Sequence, residues 1–362
     1  MQTVNLWLSQ ILAGALPDER LAQITLADPL RAQAFEITPA NVEQVIQKRS
    51  HLLRAVYPAF SEFCQTRLHL APNQLLDTLW DFWLPLAMQL ASSRQQLQRT
   101  LIQGILGGQG TGKTTLGAIL TLILAHLGYR TVSLSLDDLY KTYHDRLALK
   151  QDDPRLIWRG PPGTHDVDLG LTVLKKLRQP VEQPIAIPRF DKSAYDGAGD
   201  RAQPEIVDSV DIVLFEGWFV GVRPIDPAHF DTAPPPIETH DDREFARDMN
   251  ARLHEYLPLW SQLDALILLY PDDYRRSLAW RKDAERDMIA VGQSGMRDAE
   301  IEDFVKYFWR SLHPELFIKP LLTPPTWVDL VIEINPDHSP GSVYRPGDLA
   351  SHGRDQSSEQ GF

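Results

Sequence analysis

The octapeptide Gly107-Gly108-Gln109-Gly110-Thr111-Gly112-Lys113-Thr114 constrains this chain more than any other feature. It fits the pattern Gly, four residues, Gly-Lys-Ser/Thr. It also stands between a short apolar run, residues 101–106, and a longer apolar helical pattern, residues 114–127. Glycines let backbone N–H groups turn inward around phosphate oxygens, and the helix that follows presents its positive N-terminus to them. Lys113 is expected to bridge the β- and γ-phosphates, and the Thr114 hydroxyl to hold Mg²⁺. The candidate nucleotide-binding set is these eight residues with Thr115 at their edge, and the expected cofactors are ATP and Mg²⁺.

Such a loop needs a parallel sheet to stand on. Apolar runs at 101–106, 131–136, 184–187, 212–215, 265–270 and 330–334 are continuous rather than alternating, as in strands covered on both faces. Gly128 closes the first intervening helix, and the strand–helix–strand span that results is a right-handed crossover unit. The expected fold is α/β, a P-loop NTPase-like three-layer arrangement with a parallel sheet and an N-terminal helical extension. Residues 1–98 form the extension, 99–335 the kinase domain, and 336–362, rich in Pro, Gly and Ser, a flexible tail. Within the extension Thr38-Pro39 reads as a helix start, Pro85 should kink or divide the helix over 75–97, and Trp80 and Trp83 read as core.

Composition narrows the function. With 36 Lys+Arg against 48 Asp+Glu, the net charge is −12, which argues against a nucleic-acid binder. One cysteine, Cys64, excludes an internal disulfide framework and a Cys-rich zinc site. The first residues lack a basic stretch, and no run is long and apolar enough to span a membrane, so a cytoplasmic protein with a small-molecule substrate is expected. Its oligomeric state is left open.

A nucleotide site of this type uses a carboxylate near the metal, and Glu216 ends the apolar run 212–215 at the edge where ligands bind, holding Mg²⁺ directly or through water. Asp137-Asp138 end the second strand at the same edge. A kinase acting on an alcohol uses a carboxylate there to accept the hydroxyl proton. Asp137 directly follows the strand and is preferred, with Asp138 as the alternative. Two proline-stiffened segments, around Arg159, His165 and Asp166 and around Arg189 and Lys192, suit a small polar anion. An arginine-dense helix from Tyr274 to Arg286, including Arg276, reads as a lid that closes cations over the reacting phosphoryl group.

Five blocks occur in order: Gly-Gln-Gly-Thr-Gly-Lys-Thr, Ser-Leu-Asp-Asp-Leu-Tyr, Arg-Gly-Pro-Pro-Gly-Thr-His-Asp, Pro-Arg-Phe-Asp-Lys-Ser-Ala and Phe-Glu-Gly-Trp. Together they resemble the P-loop type D-glycerate 3-kinase family, which is similar to the phosphoribulokinase, uridine kinase and pantothenate kinase group. The resemblance implies ATP-dependent phosphorylation of D-glycerate to 3-phosphoglycerate, as in glycerate salvage or photorespiration. It implies Asp137 as proton acceptor assisted by Lys113, and Arg159, His165, Asp166, Arg189 and Lys192 around the acceptor. Thr114 and Glu216 stand near Mg²⁺, and Arg281 and Glu285 fall in the lid. Leu139 and Lys282-Asp283 depart from the family pattern. A same-fold kinase of uridine, pantothenate or a sugar phosphate, or a non-enzymatic nucleotide-binding module, are the alternatives.

Overall fold

The computed structural model describes residues 2–179, 183–290 and 296–349. Its strands are β1 (Leu101–Gly107), β2 (Thr131–Ser135), β3 (Ile185–Ile187), β4 (Phe190–Asp191), β5 (Asp200–Arg201), β6 (Glu205–Val207), β7 (Ile212–Gly217), β8 (Ala265–Pro271), β9 (Leu330–Ile334) and β10 (Pro340–Tyr344). One six-stranded sheet runs β10-β9-β8-β1-β7-β2. All its pairings are parallel except that of β10 with β9.

Every residue of β1 and of β7 is buried, because helices cover both faces. Leu101, Ile105, Ile212 and Leu214 face a cluster that holds the helix Lys113–His126 and the N-terminal helices. Ile102, Leu106, Val213 and Phe215 face the other cluster, with the helix Val167–Arg178 and the segment around Tyr256 and Trp260. Alternate residues of one continuous apolar run thus feed opposite layers. The architecture is three-layer α/β.

Three expectations need correction. The run 184–187 does not join the main sheet: β3 pairs antiparallel with β6 in a ribbon of its own, and β4 with β5 in another. The tail is not flexible from 336. Residues 340–344 add an antiparallel edge strand, burying Val343 and Tyr344 against β9, while 350–362 lie outside the described residues. The helix expected to start at Thr38-Pro39 begins at Val42 instead, because the Asn41 side chain accepts from the Thr38 N–H at 2.8 Å and closes a turn first. The helix over 75–97 is divided at Pro85 as expected: a π-helical turn, Leu79–Trp83, ends just before that proline, which has no N–H to give.

The N-terminal helices are not a separate body. Leu8, Leu53, Trp80 and Leu84 share one core cluster with β1 and the helix Lys113–His126. Arg345 donates to the Ala34 carbonyl at 3.1 Å and pairs with Glu36 at 2.9 Å, tying the residues after β10 to the same helices.

Candidate functional site

The loop after β1 turns through Gly110 at φ 79° and Gly112 at φ 81°, left-handed values that glycine reaches without strain. At Gly110 a side chain has no room either: an added Cβ would lie 2.7 Å from the Cβ of Trp280. Gly112 is the N-cap of the helix Lys113–His126, so that helix's first N–H groups open into the loop. Lys113 Nζ folds back to the Gly108 carbonyl at 2.9 Å, and Thr111 Oγ1 donates to the same oxygen at 2.9 Å. Burial pushes the Lys113 pKa below its ordinary value, against the opposing pull of Glu216 and Asp137. Both carboxylates therefore lie within electrostatic reach of the loop lysine.

Glu216 is paired in register with Ser135 of β2 and Ile105 of β1, is 8% exposed, and has no hydrogen-bond partner among the described residues. A buried carboxylate left unpaired beside a phosphate cradle fits a hydrated Mg²⁺, which takes few protein ligands. Among the described residues no cluster of His, Cys, Asp and Glu could hold a metal alone.

Asp137 lies in the 3₁₀ turn Leu136–Leu139 that ends β2. Its Oδ2 accepts from Lys192 Nζ at 2.6 Å and its Oδ1 from the Tyr140 hydroxyl at 2.9 Å. Burial raises its pKa, but Lys192 and Tyr140 outweigh burial and hold the carboxyl below its usual range. Asp138 serves the backbone instead. Its Oδ2 accepts from the Ser135 N–H at 3.0 Å and from Arg189 at 3.0 Å, and burial pushes its pKa up.

The remaining candidates divide. His165 is buried and stacked on Tyr140, ring centroids 4.6 Å apart. Its Nδ1 lies 2.8 Å from the Tyr256 hydroxyl, while its Nε2 has no partner among the described residues. Burial pushes the ring's pKa down to about 3, so it is neutral at physiological pH. Arg159 donates to the Gly197 and Ala198 carbonyls at 2.7 and 2.9 Å and has no carboxylate partner among the described residues. Arg189 is committed to Asp138 and to Glu205, the latter at 2.5 Å. Asp166 caps the helix Val167–Arg178 and pairs with Arg201 at 2.5 Å. In the helix Arg276–Ala290, expected from the sequence as a lid, Arg276 pairs with Asp272 and Arg281 with the buried Glu285. These lid charges thus satisfy one another.

Three residues were missed. Tyr140 follows Asp137 by three positions, the spacing a 3₁₀ turn eclipses, and that spacing could have found it. Arg146, which donates to the Ala198 carbonyl at 2.8 Å beside Arg159, and Tyr256, which meets His165 from ninety-one residues away, left no local signal.

A glycine cradle at the end of the central strand β1, with Glu216 at the end of the adjacent β7 and Asp137 just past β2 beyond it, defines a P-loop nucleotide-binding protein. No protein-family model matches the chain. The chloroplastic D-glycerate 3-kinase of Arabidopsis thaliana is 31% identical over 254 residues, 66% of this chain and 54% of that protein. This chain therefore spans about half the length of that relative. The uncharacterized kinase mug58 of Schizosaccharomyces pombe is 31% identical over 221 residues, 58% of this chain and 79% of that protein. A solved D-glycerate 3-kinase from Cryptococcus neoformans var. grubii superposes with a TM-score of 0.65 at 28% identity, covering 73% of this chain and 99% of that one. The chain belongs to the D-glycerate 3-kinase family of P-loop kinases.

Proposed function

We propose that the protein transfers the γ-phosphoryl group of ATP to the primary hydroxyl of D-glycerate, giving 3-phosphoglycerate and ADP. The observation that carries this reading is Asp137, an ionised carboxylate at the end of β2 on the same sheet edge as Lys113 and Glu216. The hydroxyl oxygen bonds to the γ-phosphorus as the bond from that phosphorus to the bridging oxygen breaks, and the hydroxyl proton passes to Asp137. Both Asp137 oxygens accept one hydrogen bond already, and each keeps a lone pair for the incoming hydroxyl. A carboxylate with a low pKa suffices, because the proton leaves only as phosphorus withdraws charge from the oxygen.

Lys113 stabilises charge that develops on the leaving phosphate. Thr114 and the unpaired Glu216 would hold Mg²⁺, which when bound neutralises the β- and γ-phosphate oxygens. For the acceptor carboxylate Arg159 is a better candidate than Arg189, because Arg189 already carries two acidic partners. His165 Nε2 has no partner among the described residues but is buried, so a hydroxyl or carboxylate of the acceptor reaches it only if the surrounding rings move.

The names of the relatives support glycerate as the acceptor. ADP release measured with glycerate, uridine, pantothenate and ribulose 5-phosphate tests it. Turnover with glycerate well above the other three is expected. Turnover dominated by another acceptor would reassign the substrate, and ADP release indifferent to all four would reduce the protein to a slow nucleotide hydrolase.

A further inference from the structure

A cavity of about 400 Å³ opens beside the phosphate loop on the side away from Asp137. The order β9-β8-β1-β7-β2 sets two directions from the cradle. Asp137 and Glu216 end β2 and β7 on one side of β1; the cavity is bounded by Leu269 of β8, Ile334 of β9 and Pro340 of β10 on the other. A nucleoside triphosphate whose terminal phosphate points at Asp137 extends its nucleoside the opposite way, into this cavity. Loop residues Gly110 to Leu116 line it, so it is continuous with the cradle rather than a separate pocket.

Two of its walls come from the N-terminal helices. Phe82 and Trp83, on the π-helical turn Leu79–Trp83, are 5% and 8% exposed, and both line this cavity. His338 stands at the rim at φ 64°, in the turn between β9 and β10, its ring 4.7 Å from that of Trp280. Trp280 in turn donates through Nε1 to the Pro336 carbonyl at 3.1 Å and packs on Gly110, so loop, lid helix and turn meet at one point. Among the lining side chains only Lys113 and His338 are ionisable, and neither is acidic. An apolar, aromatic slot of this size next to a phosphate cradle suits a flat uncharged heterocycle.

We propose that Phe82 and Trp83 of the N-terminal helices, with Ile334, His338 and Pro340, form the nucleobase pocket of the ATP site. The inference rests on the kinase reading above and adds to it a role for the N-terminal segment. That segment completes the nucleotide site. Because the walls are largely apolar, discrimination between adenine and guanine is weak, and affinity comes from contact area rather than from edge hydrogen bonds.

The test compares two ligands that share the phosphates and differ in the base. Binding of Mg-ATP and of Mg-tripolyphosphate is measured by calorimetry on the full chain, for wild type, Trp83→Leu and His338→Ala. Loss of one base contact is expected to weaken ATP by about tenfold, near 1.4 kcal/mol. Tripolyphosphate affinity and the glycerate KM stay within about twofold of wild type. His338 is exposed, so its variant tests the pocket even if Trp83→Leu lowers the melting temperature. Equal loss of ATP and tripolyphosphate, or unchanged ATP binding in both variants, overturns the inference while leaving the kinase reading in place. Wild-type protein that binds neither ligand overturns the kinase reading and this inference with it.

Discussion

Asp137 and Asp138 are adjacent, yet they serve different tasks, and substitution separates them. Asp137→Asn keeps the side-chain volume but removes the proposed proton acceptor and the charged partner of Lys192. General-base catalysis contributes about 10²–10⁴-fold, so kcat should fall by at least that range while ATP still binds. Asp138→Asn loosens the cap on Ser135 and one arm of Arg189, costing about 1 kcal/mol of stability and less than tenfold in kcat. Steady-state kinetics and a calorimetric ATP titration on both variants check this; loss of kcat in Asp138→Asn alone would move the base by one position. His165 makes a separate prediction. Its folded pKa is depressed to about 3 by burial, whereas an unfolded imidazole titrates near 6.5. The stability it contributes is present above pH ~6.5 and is lost as pH falls from there toward 3, at up to about 1.4 kcal/mol per unit. Urea unfolding at pH 7 and 5.5 should show a steeper loss of stability in wild type than in His165→Gln, where the buried His313, also depressed by burial, still contributes. An unchanged slope in the variant would mean the ring is protonated in the folded state.

At the scale of elements, the legible parts were those whose signal is local. β1, β7, β8 and β9 appear as continuous apolar runs because both their faces are covered, whereas the edge strand β2 alternates buried and half-buried residues, and the loop after β1 carries its own glycine spacing. β10 did not appear. Ser339-Pro340-Gly341 reads as a turn, and the burial of Val343 and Tyr344 depends on β9 and on Arg31, which donates to the Gly341 carbonyl from 310 residues away. β3 is apolar enough for the main sheet, but its partner choice is set by residues 205–207, which no local pattern reveals. The same division holds in the site: Asp137 and Glu216 follow from strand ends, while the pairing of Asp138 with Arg189 and of Asp166 with Arg201 depends on distant loops. Two variants test these elements. Val343 is fully buried, so Val343→Ala should cost about 1–3 kcal/mol and lower the melting temperature, whereas a flexible tail would tolerate it unchanged. Gly110→Ala would bring a Cβ to 2.7 Å from Trp280 at a left-handed φ. Backbone strain of about 1–3 kcal/mol and a displaced lid helix should together weaken ATP at least tenfold. ATP binding as in wild type would show that the lid helix yields at no cost.

The molecule is built on one six-stranded sheet with two covered faces, and the N-terminal helices supply much of one cover. Leu8, Leu53, Trp80 and Leu84 pack in the same cluster as Leu101, Ile105 and Ile119. A chain beginning at residue 99 would expose that face, so it should be insoluble, and the full chain should unfold in one transition rather than two. The acidic balance of 36 basic against 48 acidic residues coexists with a local site in which Lys113 and Arg159 donate only to backbone carbonyls among the described residues, with the unpaired Glu216 within electrostatic reach of Lys113. On the proposed reading, an anionic acceptor meets these two cations at the site. That placement makes the acceptor and the bond formed the central claim. The most direct measurement is phosphorus-31 NMR of the reaction of the full chain with Mg-ATP and D-glycerate. The account predicts one new phosphomonoester resonance, that of 3-phosphoglycerate, growing in step with ADP and without inorganic phosphate, and absent over the same period with Asp137→Asn. Inorganic phosphate as the sole product, or an ester at the secondary hydroxyl, would contradict it.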